Sequence, residues 1–350
     1  NRDGLGVNID LIYRKKGLLF SNKASLDISN SEREPVAFSE FSRANPYYQK
    51  RLDNGTIPMY LERKTGIYGA DMFNPLYVWN IENTNTSKEL ALRDNFTMEW
   101  TVFDALRTRA RLGFSKSITK SEAFKSPNHV DFLETEKLKK GSFSSSQNES
   151  FSYNGDLNIT FGKIFKNVHQ VNFVGGWSFN ESRTEAAGYN VVGFNDDFHK
   201  NPAYSTGFRE NQKPTYSKNR RRSTSFFMNL NYAYNNRYLV DFNLRADGTS
   251  VFGSNKLFSK TWSVGLAWNV HNEEFVKKLG WVNNLKIRGS IGNPGNENFD
   301  AYISQKTYVY NVELQNMFGA SALIEKYGNK DLEWQRTQDK NIGVDLSVLN

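Results

Sequence analysis

The chain has 350 residues, a net charge of +8 and no cysteine. No disulfide framework, thiolate metal site or cysteine nucleophile is therefore open to it, and so mild a charge on this length only weakly favours an acidic ligand or lipopolysaccharide phosphates. His129, His169, His199 and His271 are too scattered to share a metal, so neither a metal nor another cofactor is expected.

Apolar residues recur at every second position, the period of a strand whose successive side chains leave opposite faces. The registers begin with Val7, Ile9, Leu11, Tyr13 and with Leu18, Phe20, Ala24, Leu26, Ile28. Next come Phe96, Met98, Trp100, Val102, then Leu106, Ala110, Leu112, Phe114, then Phe151, Tyr153, Leu157, Ile159, Phe161. Val171, Phe173, Trp177, Phe179 follow, and then Phe226, Met228, Leu230, Tyr232, Tyr234. The stretch "YLVDFNLRADGTSVFGSNKLFSKTWSVGLAWNV" holds two more, Tyr238 to Ala246 and Trp262 to Val270. Leu285, Ile287, Ile291 and Ile342, Val344, Leu346, Val348 complete about eleven strands.

Positions skipped in these registers are Asn, Thr or Gly, while the opposite parity carries Asp10, Lys23, Asp27, Glu99, Arg107, Arg109, Arg111, Asp156, Asp241, Arg245, Lys286, Arg288 and Asp345. Lipid makes that demand of a barrel's outer wall, where Lys or Arg at the midplane costs about 2–4 kcal/mol. The expected fold class is all-β, a transmembrane antiparallel β-barrel. No apolar run approaches the roughly 20 residues of a membrane helix, and no basic-then-apolar leader stands at Asn1.

Tight links (RKKG, DA, KIFKN, NN) alternate with long ones, roughly Asn30–Asn95, Ser117–Glu149, Ser182–Arg221 and Gly248–Lys260. Short turns on one rim and long loops on the other form the outer-membrane pattern, which a soluble sandwich has no reason to adopt. One short-rim link, "HNEEFVKKLGWVNN", has the apolar spacing of a short helix. "DNG" at Asp53, "ADG" at Ala246 and "NPGN" at Asn293 are turn signals, and "GSFSSSQNES" is expected to be a loop descending into the wall. With eleven strands the first and last run in the same direction, so antiparallel closure fails and an incomplete barrel is expected.

The sequence lacks a Gly-x-Ser-x-Gly elbow, a phosphate loop, a His-Glu-x-x-His motif and a dinucleotide fingerprint. Neither an enzyme nor a nucleic-acid partner is expected. Arg107, Arg109 and Arg111 project from one strand into the lumen, where guanidinium forks suit an internal plug or an anionic solute as well as plain wetted lining. "NRRRS" at Asn219 lies at a loop end, a solvated charge run or a neighbour of lipid phosphates. Candidate contacts to ligand or lid in the long loops are Tyr47, Tyr48, Tyr60, Trp79, Tyr189, Phe194 and Tyr204, with Asn293 and Asn296. Rings of this kind stack on sugars or peptides, or pack loops together.

At "SRANPYYQKRLDNG", "FTMEW", the Tyr238–Val270 hairpin, "NNLKIRGSIGNPGNENF" and "GNKDLEWQRTQDKNIGVDLSVLN" the chain resembles SusC/RagA-type TonB-dependent transporters of Bacteroidetes, over essentially its whole length. The resemblance implies a 22-stranded barrel in the cell outer membrane, of which residues 1–350 form one part. It also implies a plug, an N-terminal extension and final strands outside this segment. Partners implied are a SusD-like surface lipoprotein, the TonB complex acting through those N-terminal parts, outer-membrane lipid, and a glycan or peptide cargo. The alternatives are a passive or plugged porin and a secreted β-rich adhesin.

Overall fold

The computed structural model describes residues 2–44, 46–63, 71–210, 212–251, 253, 255, 257–296, 304–332 and 335–348. Eleven long strands form the wall: β1 (Arg2–Lys15), β2 (Leu18–Glu32), β3 (Thr84–Phe103), β4 (Leu106–Lys125), β5 (Ser142–Phe165) and β6 (His169–Val192). They continue with β7 (Thr215–Tyr234), β8 (Tyr238–Thr249), β9 (Phe258–Asn269), β10 (Val282–Gly292) and β11 (Asp339–Val348). Each pairs antiparallel with its neighbour in sequence, and a two-residue strand, Gly207–Phe208, adds to β6. Among the described residues β1 pairs only with β2, and β11 only with β10.

The registers align the expected apolar face across the sheet. One row runs Tyr13, Phe20, Met98, Ala110, Leu157, Trp177, Phe226, Ala246 over eight strands without a charge. A neighbouring row on the other face reads Ser21, Thr97, Arg111, Asp156, Ser178, Ser225, Asp247, Ser259. That face is laced by ion pairs and hydrogen bonds: Asp10 with Lys23, Asp27 with Arg93, Arg111 with Asp156, Asn231 with Asp241, and Arg288 with Asp345.

Two belts of rings bound the apolar face. On the short-turn side Tyr234 stacks on Tyr238 and Tyr238 on Trp268, with His169 beside Tyr234. On the other side Trp177 stacks on Phe226 and packs on Phe179, which meets Tyr153. From His169 to Phe179 is ten residues, about 33 Å along a strand and about 25 Å of depth at the usual barrel tilt, the height of a lipid-facing band. Close to the lower belt this face carries Lys163, whose ammonium lies over the Phe165 ring, and charge returns just beyond the upper belt, in the row Asp94, Phe114, Tyr153, Glu181, Arg222.

The short-turn rim is set by backbone conformation. Lys16 and Gly17, Lys166 and Asn167, and Asn235 and Asn236 all take positive φ, the pairing that matches a tight turn to the twist of its strands. Between β9 and β10 a 3₁₀ turn, Val270–Asn272, and a short helix, Glu274–Lys277, occupy the expected helical link. Glu273 ties this link to the lower belt, accepting hydrogen bonds from Trp268 Nε1 and Tyr238 Oη at 3.0 and 3.1 Å.

The long connections are shorter than the sequence suggests, because the strands outrun the membrane. They cover 33–83, 126–141, 193–214 and 250–257, and a fifth, 293–338, was not among those expected. Above the upper belt both faces are wet, so hydrophobic alternation lapses while the ladder continues. "GSFSSSQNES" is accordingly strand from Ser142 onward, and Tyr189 lies within β6, not in a loop. "ADG" is no turn either: β8 runs through to Thr249, and Asp247 there is buried and held by Arg245 and Ser225.

Leu230 sits midway between the belts on the apolar face, beside Phe173 and Phe242. Leu230→Arg should destabilise the barrel in bilayers by about 2–4 kcal/mol. Asn231→Arg, one residue away and facing Asp241, should be tolerated. Urea unfolding in lipid, followed by heat-dependent gel mobility, measures both; equal losses would refute the assignment of faces.

Candidate functional site

The long-loop rim carries a cavity of about 1250 Å³, built where the 33–83 loop overhangs the polar face of the wall. Two short helices shape it. α1 (Phe38–Arg43) presents Phe38 and Phe41, and α2 (Pro75–Asn80) presents Leu76 and Trp79. Each pair is three residues apart, the spacing that puts side chains on one helical face. Asn74 caps α2 by accepting from the Leu76 amide at 3.1 Å, and Pro75 occupies the first turn, where its missing N–H costs nothing. Phe41 meets Trp79 edge-on at 5.9 Å.

Opposite the rings lie Ser31, Asn85, Ala123 and Ser144, which share the parity of Arg107, Arg109 and Arg111 and so the lumenal face. His129 also lines the cavity. Burial pushes its imidazole below the ordinary value, which keeps it neutral at neutral pH. An aromatic overhang above a floor of amides and hydroxyls can grip a sugar face or a peptide side chain and hydrogen-bond its polar groups.

Neighbouring loops brace this overhang. Asn83 accepts from the Ser126 amide at 2.9 Å, and the Tyr77 hydroxyl donates to the Asn128 carbonyl. Lys200 donates to Glu82 at 2.7 Å, holding that carboxyl below its ordinary range. Asp197 accepts from Ser126 and Asn128. Beneath them Phe124, Phe143, Val191 and Phe194 form a dry cluster, with Phe194 only 2% exposed. Three loops from three hairpins thus behave as one packed body.

Of the ring candidates, Trp79 lines the cavity. Tyr47 is 93% exposed, away from it. Tyr48 donates its hydroxyl to Glu62, and Tyr60 packs on Phe73 under the Arg63 guanidinium. Tyr204 packs tilted against His199 at 4.7 Å, Tyr189 packs on Phe143, and Phe194 is core. Asn293 is engaged with the wall, accepting from the Trp262 amide at 2.7 Å, and Asn296 pairs with Gln335 in a two-residue ribbon. Phe38, 85% exposed, and Phe41 were missing from the candidates, although the Phe-x-x-Phe spacing at 38 and 41 was there to be read.

The three lumenal arginines divide. Arg111 meets its carboxylate inside the wall, Asp156 Oδ1 at 2.8 Å. Arg107 and Arg109 line a polar recess of about 320 Å³ with Glu99, Asn158 and Thr160, and neither makes an ion pair among the described residues.

Comparison with known proteins agrees with this architecture. The family model described as TonB dependent receptor-like, beta-barrel, matches residues 27–350. A TonB-dependent receptor of Formosa agariphila is 26% identical over 269 residues, 75% of this chain and 25% of that protein. The TonB-dependent receptor SusC of Bacteroides thetaiotaomicron is 35% identical over 131 residues, 36% of this chain and 13% of that protein. Among solved structures the RagAB peptide transporter superposes with a TM-score of 0.74 at 19% identity, covering 100% of this chain and 38% of its own. The chain spans about a quarter of the length of the first two curated relatives it matches, 25% and 28%. Family match, two-faced wall and rim asymmetry together establish that this chain belongs to the TonB-dependent receptor-like β-barrel family, outer-membrane proteins that are not enzymes.

Proposed function

We propose that this chain is part of the barrel wall of an outer-membrane importer energised by TonB, which draws oligosaccharide or peptide cargo from a SusD-like surface lipoprotein. The observation that carries this reading is the rim cavity, where Phe38, Phe41 and Trp79 overhang the polar face along which a solute would travel. The name RagAB peptide transporter, borne by a similar structure, points to the peptide class, and the oligosaccharide class is what the resemblance to SusC/RagA-type transporters implies. The plug, the N-terminal extension and the final strands are assigned to parts of a longer polypeptide. Force applied by TonB to the plug would open the lumen, and cargo would descend past Arg107 and Arg109.

In cells carrying the full-length receptor, the Phe38→Ala, Trp79→Ala double variant should weaken cargo binding about tenfold, the effect of losing one or two ring contacts, at unchanged barrel abundance. Deleting TonB should abolish uptake in wild type. Uptake that persists without TonB and scales linearly with concentration would mean a passive porin instead.

Purification of the full-length receptor from native membranes in mild detergent should bring down a lipoprotein seated on the long-loop rim. Recovery as a bare barrel across several detergents would remove the partner from the proposal.

We further assign Arg107 and Arg109 to the plug, as guanidiniums left for an incoming carboxylate. Arg107→Gln with Arg109→Gln should raise passive leakage of small solutes through the assembled barrel with little change in its thermal stability. Unchanged leakage in liposome-swelling assays would reduce the pair to wetted lining.

A further inference from the structure

On the membrane-facing side of the wall, just above the upper ring belt, Glu181 gathers three arginines. Its carboxylate accepts from Arg220 Nε at 2.7 Å, from Arg222 Nε at 2.8 Å and from the Tyr153 hydroxyl at 2.8 Å. Arg183 approaches to 3.8 Å, and its Nε is buried with no hydrogen-bond partner among the described residues. Glu181 itself is 5% exposed, whereas the arginine side chains are 38%, 42% and 55% exposed. Three guanidiniums share the Glu181 carboxylate, and Glu185, the other carboxylate that acts on Arg183, is itself paired with Lys218 at 3.3 Å, so positive charge remains in surplus. Lys116 extends the patch: it shares the row Lys116, Phe151, Arg183, Arg220 and makes no ion pair among the described residues.

The parity of these residues is that of Trp177, Phe179 and Phe226, so the cluster faces lipid headgroups, not the lumen. Directly beneath it those rings offer an apolar surface at acyl-chain depth, Trp177 packed on Phe179 at 5.2 Å and on Phe226 at 6.2 Å. A buried carboxylate that orients arginines yet leaves them a surplus of positive charge is a preorganised anion seat. Its position at the top of an apolar band fixes the kind of anion: a phosphate that carries acyl chains.

We propose that Arg183, Arg220 and Arg222, oriented by Glu181 and Tyr153, bind a phosphate of outer-leaflet lipopolysaccharide whose acyl chains lie on the Trp177–Phe226 surface. Glu181 and Tyr153 act as positioning residues, and the arginines touch the ligand. The inference uses the outer-membrane placement of the barrel but is independent of cargo and of TonB.

The test uses the full-length receptor, purified in detergent and placed in nanodiscs of phosphatidylethanolamine with added lipopolysaccharide. Arg183→Gln with Arg222→Gln leaves Arg220 and Tyr153 on Glu181, so the carboxylate stays partnered and folding is preserved, as gel mobility would verify. Retained lipopolysaccharide, measured by mass spectrometry, should fall about tenfold in this variant, the loss of two charge-assisted contacts. It should be unchanged in the lumenal Arg107→Gln, Arg109→Gln control. Dephosphorylated lipopolysaccharide should bind wild type no better than the variant binds the intact lipid. Equal retention by wild type and variant would overturn the proposal, as would equal binding of the dephosphorylated lipid. Displacement by inorganic phosphate at comparable concentration would reassign the seat to a free anion. Cargo uptake measured in the same variant separates the two readings, since it should persist whether or not the lipid seat exists.

Discussion

Hydrocarbon offers no hydrogen bond to a peptide group, and everything else in this structure follows from that. Every N–H and C=O at membrane depth must find its partner in the chain, and an unbroken antiparallel ladder from β1 to β11 provides it. The same solvent excludes charge from one face. The segment's many charges therefore collect on the other, where Asp27 finds Arg93 and Arg111 finds Asp156 across neighbouring strands. A polar inner face is thus the necessary complement of an apolar outer wall.

Above the upper ring belt the constraint lifts. The ladder still holds the strands together, but neither face has to be apolar, and the hairpin β5–β6 continues to Val192 with polar residues on both sides. That extension forms a stalk on which three loops rest. Phe124, Phe143, Val191 and Phe194 bury the contact, and Asn83, Asp197 and Lys200 tie the loops to one another. The overhang of Phe38, Phe41 and Trp79 is therefore carried by a braced platform that holds the shape of the rim cavity.

The wall was legible because period-two alternation records burial directly: the registers from Val7 to Val348 lie on one face, as the cross-strand partners show. The same signal misjudged the strand ends, since it vanishes where both faces are wet, and so Tyr189 and Ser142–Ser150 passed for loop. Loop aromatics were legible as a class but not in their roles. Tyr204 finds His199 and Tyr48 finds Glu62, contacts that depend on loop geometry and leave no periodic trace. Glu181 was hidden for another reason. It continues the parity of Trp177 and Phe179 into a charged region, and only the partners in β5 and β7 reveal that its carboxylate is shared by two arginines.

Arg107 and Arg109 line the lumen, whereas Arg183 and Arg222 face outward, and only strand parity separates these fates. A slip of one residue would exchange the faces of an entire strand and set a guanidinium in hydrocarbon at about 2–4 kcal/mol. The short turns guard against this, because Lys16–Gly17, Lys166–Asn167 and Asn235–Asn236 hold conformations that fix which residues oppose each other in the next rung. The rings add a second lock. Phe179 lies over Gly155, where a Cβ would fall 2.6 Å from the ring, so that register admits no side chain in place of the glycine. Register in this barrel is in this way a functional variable, deciding which arginines meet the lumen and which meet lipid.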